Sequence, residues 1–109
     1  MYKKLNIGVA VPAYNEQSLI GKTLSTIPDF VDHIAVINDG SKDETLKQIR
    51  KYSKKDSRII VIDNHKNLGI GGSLKVGLKK LAELDCDLSA VMAGDAQMDP
   101  EQLHKMIDD

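Results

Sequence analysis

The chain alternates four short apolar segments with stretches of helical patterning, and few folds accommodate that alternation. The segments are residues 7–11, 33–37, 58–62 and 88–92. They are nearly continuous in apolar character, which is typical of strands covered on both faces. A strand–helix–strand rhythm favours right-handed crossovers into a parallel sheet. We therefore predict an α/β fold, a Rossmann-like parallel sheet of about four strands with flanking helices.

The segments between these strands carry helix start signals. Asn15 is predicted as the N-cap of a first helix that runs to about Thr26, and residues 41–44 match a capping box that opens a second. A third helix follows the glycine cluster at 69–72, and a fourth opens at Asp99. The inward-facing residues are predicted to be Leu19, Ile20, Leu24 and Ile27 in the first helix, and Leu74, Leu78, Leu81 and Ala82 in the third.

Composition is that of a single globular domain. The 109 residues are 41% hydrophobic and 28% charged, and the formal net charge is −1. A charge so close to zero argues against a nucleic-acid-binding protein, which would need excess positive charge. No apolar run is long enough to span a bilayer, and the first residues lack the apolar core of a secretory signal. The single cysteine, Cys86, fits a reducing compartment, so we expect a cytoplasmic location.

Loops rich in carboxylates, amides and glycine follow each predicted strand, at residues 12–16, 38–41, 63–67 and 93–99. In open parallel sheets, ligands bind beyond the carboxyl ends of the strands. We therefore expect the four loops to form a site at one edge of the sheet. Residues 69–74 begin like the G-x-G-x-x-G fingerprint of dinucleotide-binding proteins, but Leu74 stands where its last glycine is required. Gly72 and Gly77 have the spacing of a Walker A loop, but Leu78 and Lys79 stand where Lys and then Ser or Thr are required. Both of those nucleotide-binding classes are excluded.

Four motifs then point to one family. They are VPAYNE (11–16), NDGSKDET (38–45), NLGIGG (67–72) and GDAQMDP (94–100). In this order, they resemble glycosyltransferase family 2, the inverting enzymes of the GT-A fold, and most closely its polyprenyl-phosphate (dolichyl-phosphate mannosyltransferase-like) branch. The resemblance implies the N-terminal half of a GT-A fold. It also implies transfer of a sugar from a UDP- or GDP-type nucleoside diphosphate to an acceptor such as a polyprenyl phosphate, with the whole enzyme at the cytoplasmic face of the membrane.

The resemblance also implies roles for individual residues. Asp39 would accept hydrogen bonds from the base or ribose, and Lys66 would reach a phosphate or ribose. The other implied nucleotide-binding residues are Pro12, Ala13, Tyr14, Glu16, Gly94 and Asp95. Structural alternatives are that Tyr14 packs against the protein and that Asp39 is a turn residue before Gly40.

The loop after the fourth strand resembles the D-x-D metal motif of the family. Its implied cofactor is Mg²⁺ or Mn²⁺, with Asp95 as one ligand and Gln97 as a weaker second one. The chain departs from the pattern, because Ala93 stands where the first Asp is expected. That difference puts tight metal binding in the absence of nucleotide in question.

In the family, the general base and the acceptor site follow this fourth loop. We therefore expect residues 1–109 to be the donor-binding half of the domain, inactive in transfer alone, with its general base beyond Asp109. Without the second half of the domain, an edge of the sheet would be exposed, and we therefore expect this part of the domain to self-associate. Two other functions stay open: a sugar-phosphate nucleotidyltransferase-like domain, and a non-catalytic nucleotide-binding module.

Overall fold

A computed structural model describes residues 5–92 of the chain. Strands and helices alternate along them, in the order β1 (Ile7–Ala13), α1 (Ile20–Ser25), β2 (His33–Asp39), α2 (Thr45–Ser53), β3 (Ile59–Asn64), α3 (Gly69–Glu83) and β4 (Leu88–Val91). The strands pair in parallel in the order β3-β2-β1-β4. The predicted α/β fold with a four-stranded parallel sheet and flanking helices is confirmed. The helix predicted at Asp99 lies outside the described residues.

From β1 the chain adds β2 and then β3 on one side of the sheet, and it then returns to place β4 on the other side of β1. This change of direction puts helices on both faces of the sheet. Alternate residues of a strand point to opposite faces. Val9 and Val11 of β1 belong to the cluster that contains α1 and α2 residues, whereas Ala10 belongs to the cluster that contains Leu81 of α3. Helices α1 and α2 therefore cover one face of the sheet, and α3 covers the other.

The prediction that the strands are covered on both faces is confirmed for the two central strands, β1 and β2, and is wrong for the two outer strands, β3 and β4. Every residue of β1 is buried, as are the last six of β2. Most of β3 is half-buried, and Leu88 of β4 is 39% exposed. Apolar content alone does not separate a central strand from an outer one, because the position in the sheet is set by the crossovers.

The first helix begins later than predicted. Helix α1 begins at Ile20, and Asn15 has a φ of 51°, which lies in the left-handed region. The prediction that Asn15 caps this helix is therefore wrong, because its side chain bonds to the segment after β2 instead. Leu19 is 39% exposed and not inward-facing, whereas Ile20, Leu24 and Ile27 are buried as predicted.

The capping box predicted for the second helix is also wrong. Helix α2 begins at Thr45, its N-cap residue is Glu44, and the Glu44 side chain makes no capping hydrogen bond. The hydroxyl of Ser41 accepts a hydrogen bond from the Asn15 amide instead. The Ser41 hydroxyl therefore bonds to the loop after β1 and does not cap its own helix.

The buried face of helix α3 is only partly the one predicted, because Leu81 is buried as expected but Leu78 and Ala82 are not. Its buried residues are Ser73, Gly77 and Leu81, spaced four apart, while Leu78 is 37% exposed and Ala82 is exposed. A Cβ at Gly77 would lie 2.5 Å from Cδ1 of Ile37 and 3.2 Å from Cβ of Ala10. The missing side chain at Gly77 therefore lets α3 approach the sheet closely, and this contact sets the rotation of the helix.

Within residues 5–92, none of the helices combines the length and apolar character that crossing a membrane requires.

Candidate functional site

The register of the sheet brings polar side chains together at its carboxyl edge. Ala13 of β1 is opposite Asn38 of β2, which is opposite Asp63 of β3. One residue further on, Asp39 is opposite Asn64. Because the strands are parallel, the loops after β1, β2 and β3 all leave the sheet at this edge.

The Asp39 carboxylate joins the end of β2 to the start of α3. Its Oδ1 accepts a 2.7 Å hydrogen bond from the Leu68 amide and a 3.2 Å bond from Nδ2 of Asn64. Asn64 also donates to the hydroxyl of Ser73 on α3, at 3.2 Å. Burial raises the pKa of the Asp39 carboxyl, but the bonds from Leu68 and Asn64 outweigh that effect, and its pKa lies below the usual 3.8. Asp39 is therefore ionised at neutral pH although it is only 4% exposed.

The loop after β2 packs directly on the loop after β3. Gly40 has a φ of 69°, and a Cβ there would lie 2.7 Å from the Asn67 nitrogen and 2.9 Å from the Lys66 carbonyl carbon. Only glycine meets both demands, the left-handed backbone and the close approach. The exposed Lys66 is consequently held beside the end of β2.

The loops after β1 and β2 are joined by a set of hydrogen bonds. The Asn15 amide donates to Ser41 Oγ at 3.0 Å, and Asn15 Oδ1 accepts from the Lys42 amide at 2.9 Å. The Glu16 amide donates to the hydroxyl of the fully buried Thr45 at 2.8 Å. Three loops are thus in contact in succession around the carboxyl edge.

The predicted site residues differ in how much surface they offer there. Tyr14 is 41% exposed, Lys66 is exposed and Glu16 is half-buried. Pro12 and Ala13 are buried within β1. Tyr14, Glu16, Asp39 and Lys66 lie on loops that contact one another, while Gly94, Asp95 and Gln97 lie outside the described residues.

Several polar residues at this edge were given no individual role in the prediction, although Asn38 lies in the motif at 38–45 and Asp63 in the polar loop at 63–67. Nδ2 of Asn38 donates to Asp63 Oδ1 at 3.0 Å, and this bond sets the orientation of the amide. Asn38 is 3% exposed, and its Oδ1 is a buried acceptor with no hydrogen-bond partner in the part of the chain the structure describes. Ser73 gave no signal, because it sits inside a helical pattern where a small polar residue is ordinary, and Thr45 entered the prediction only as the last residue of the motif at 38–45.

The described residues do not themselves supply a metal site. Across residues 5–92, no group of three or more His, Cys, Asp or Glu side chains is arranged to hold an ion. The ligands predicted from the resemblance, Asp95 and Gln97, follow β4 and stay a prediction.

Comparison with known proteins assigns the family. Residues 8–109 match the family model described as glycosyl transferase family 2. The chain belongs to glycosyltransferase family 2. The predicted family is therefore confirmed, and the match covers every loop of the candidate site.

Two relatives of this family 2 chain are dolichyl-phosphate enzymes. The UDP-N-acetylglucosamine–dolichyl-phosphate N-acetylglucosaminyltransferase of Methanococcus voltae is 32% identical over 93% of this chain and 45% of its own length. The human dolichyl-phosphate β-glucosyltransferase is 34% identical over 66% of this chain and 26% of its own length. These relatives support the predicted branch. The chain spans less than half the length of the curated relatives it matches.

Solved structures of larger proteins share the fold. The mannosyltransferase PcManGT from Pyrobaculum calidifontis, in complex with GDP-Man and Mn²⁺, superimposes with a TM-score of 0.79 at 18% identity, over 97% of this chain and 32% of its own. TarS 1–349 from S. aureus, in complex with UDP, gives a TM-score of 0.72 at 25% identity, over 95% of this chain and 31% of its own. The first likeness concerns the fold alone.

Proposed function

We propose that this chain binds a nucleoside diphosphate sugar at the carboxyl edge of its sheet and supplies the donor-binding part of an inverting glycosyltransferase. The observation that carries the proposal is the contact of the loops after β1, β2 and β3 in a chain of glycosyltransferase family 2. Family membership favours this function over a nucleotidyltransferase-like domain or a non-catalytic module. Structures with GDP-Man or UDP bound support a donor of the UDP or GDP type.

The described residues suit distinct parts of such a donor. Tyr14 offers an exposed aromatic face for the base, and the ionised Asp39 is an acceptor for N–H or O–H donors of the base or ribose. Lys66 brings a positive charge to the same edge, where it would attract the diphosphate. Glu16 follows two residues after Tyr14 in the loop after β1, and its amide donates a hydrogen bond to the Thr45 hydroxyl.

A divalent cation, Mg²⁺ or Mn²⁺, is part of the proposal. Bound beside the diphosphate, such an ion would neutralise the charge of the leaving nucleoside diphosphate. We assign Asp95 and Gln97 as its ligands on the basis of the family resemblance, and Gly94 and Asp95 as further donor contacts. The structurally similar mannosyltransferase PcManGT contains Mn²⁺, which supports a divalent metal but does not identify which ion this protein would bind.

The relatives support the choice of acceptor. Two of them are named for dolichyl phosphate, so we propose a polyprenyl phosphate acceptor. A cytoplasmic site of action at the membrane face is proposed on the family resemblance alone. Self-association through an outer strand remains a prediction, which sedimentation at several protein concentrations would test.

Calorimetric titration of the 109-residue chain with UDP, GDP and CMP, each with and without Mn²⁺, tests the proposal. We expect UDP or GDP to bind, Mn²⁺ to strengthen that binding, and CMP to bind weakly. Asp95→Asn should abolish the effect of Mn²⁺, while Asp85→Asn, a control at the opposite edge of the sheet, should leave it intact. Indifference to all three nucleotides would contradict the proposal.

A further inference from the structure

We infer that Asn15 and Ser41 are positioning residues that hold Tyr14 and Glu16 ready for the nucleoside before it binds. This inference rests on the proposed function and adds to it the residues that prepare the donor site. It concerns a latch, which we define as residues 15–17 of the loop after β1 together with residues 41–45 of the loop after β2.

The latch begins with a residue in an unusual backbone conformation. Asn15 has a φ of 51°, a region that asparagine tolerates better than most residues other than glycine. Its amide donates to Ser41 Oγ and its Oδ1 accepts from the Lys42 amide, so the main chain and the side chain of Asn15 bond to the same segment. The turn that carries Tyr14 away from β1 is thereby tied to the neighbouring loop.

The next two residues continue the latch. The Glu16 amide bonds to the Thr45 hydroxyl at 2.8 Å, and Gln17 Oε1 accepts from the Glu44 amide at 2.8 Å. Asp43 in turn accepts hydrogen bonds from the Thr45 amide, at 3.0 Å, and from the Thr45 hydroxyl. Each residue from Asn15 to Gln17 therefore has a partner in the 41–45 segment.

The backbone is fixed on both sides of Tyr14, by the buried strand β1 before it and by the latch after it. Tyr14 lies between Ala13, which is 2% exposed within β1, and the latched Asn15. A loop that is ordered before binding loses less conformational entropy when the ligand arrives, and this raises affinity. Since the Asn15 and Ser41 bonds are solvent-exposed, their effect on nucleotide affinity should exceed their effect on global stability.

Four variants test the inference, with calorimetric Kd for UDP and GDP in the presence of Mn²⁺ as the main readout. Ser41→Ala removes the hydroxyl, and Asn15→Gly keeps the left-handed backbone while removing the side-chain bond. Ser41→Thr restores the hydroxyl. Ser53→Ala is the matched control, because Ser53 Oγ donates a similar 2.8 Å bond to the Arg50 carbonyl at the end of α2 distant from the site.

We expect Ser41→Ala and Asn15→Gly to weaken nucleotide binding about three- to tenfold, as loss of one hydrogen bond would. Ser41→Thr should bind within about twofold of the parent chain, and Ser53→Ala should be unchanged. Amide hydrogen exchange across residues 14–17 should become faster in the two weakened variants only.

Two outcomes separate the possible failures. If the parent chain binds nucleotide and both weakened variants bind it with the same Kd, the positioning role is refuted while the proposed function stands. If the parent chain binds neither UDP nor GDP, the proposed function itself fails, and this inference fails with it.

Discussion

The carboxylate of Asp39 accepts a 2.7 Å hydrogen bond from the backbone amide of Leu68, 29 residues later in the chain. This contact ties the end of β2 to the residue that precedes α3, so the loop carrying Lys66 is held at the carboxyl edge. The residue predicted to bind the nucleoside therefore also organises the protein. A substitution at Asp39 is expected to affect stability as well as binding.

Asp39→Ala should lower the free energy of unfolding by about 1–3 kcal/mol at pH 7, because the Leu68 amide and the half-buried Asn64 side chain lose their acceptor. Urea denaturation of both chains measures the difference. Asp29→Ala, at an exposed position, should change the value by less than about 0.5 kcal/mol. Equal stability of the Asp39→Ala and Asp29→Ala chains would contradict the structural role.

Stability should depend on pH through the same carboxyl. Burial raises its pKa, but hydrogen bonds from Leu68 and Asn64 outweigh burial, so the folded-state pKa is below 3.8. The ionised form therefore stabilises the folded state above that value, and this contribution is lost as pH falls from about 4 through the folded pKa. The difference in unfolding free energy between the parent chain and Asp39→Asn should shrink between pH 5 and pH 2 in urea titrations at about unit pH steps. A constant difference over that range would refute this assignment.

Two glycines of α3 should respond oppositely to the same substitution. Gly77→Ala places a Cβ 2.5 Å from Ile37 Cδ1, and overpacking of this kind costs about 1–3 kcal/mol. A Cβ at Gly71 would meet no atom from outside its own stretch of helix within 4 Å, so the better helix propensity of Gly71→Ala should stabilise the chain by up to about 1 kcal/mol. Thermal unfolding followed by circular dichroism measures both, and a stabilised Gly77→Ala chain would show that α3 does not pack this closely.

The Arg58 guanidinium, immediately before β3, connects this strand to the segment between α1 and β2. Its Nη2 donates to Asp56 at 2.8 Å, and Nη1 donates to the Pro28 carbonyl at 2.8 Å and the Val31 carbonyl at 3.1 Å. Lysine cannot reproduce this planar fork, so Arg58→Lys should cost about 1–3 kcal/mol. The exposed Arg50 on α2 is the control, and Arg50→Lys should be neutral in urea denaturation. An Arg58→Lys chain with the same unfolding free energy as the parent chain would contradict this role of Arg58.

Tyr14→Ala should affect ligand binding and leave stability nearly unchanged. The ring is 41% exposed, whereas stacking of a base on an aromatic ring contributes about 1–3 kcal/mol, so nucleotide Kd should rise about tenfold or more. Leu88→Ala is the matched control, since Leu88 is 39% exposed but lies at the start of β4. Calorimetric Kd and melting temperature separate the two effects. An unchanged Kd would exclude Tyr14 from the nucleoside site.

Local patterns in the sequence were sufficient for the strands, the fold class and the family. The apolar run 34–37 forms a buried central strand as predicted, and the motifs at 11–16 and 38–45 keep their order along the chain whatever the details of packing. The same reasoning placed Tyr14, Asp39 and Lys66 at one edge, because the carboxyl ends of parallel strands coincide.

Tertiary contacts decided what these patterns leave open. The Ser41 hydroxyl could satisfy a donor in its own helix or in another loop, and the fold brought the Asn15 amide within 3.0 Å of it. Likewise, the buried face of α3 was set by the missing side chain of Gly77 against Ile37, whereas helical periodicity had favoured Leu78. A polar group has many equivalent partners and a helix many possible rotations, so both choices are made only when distant segments meet.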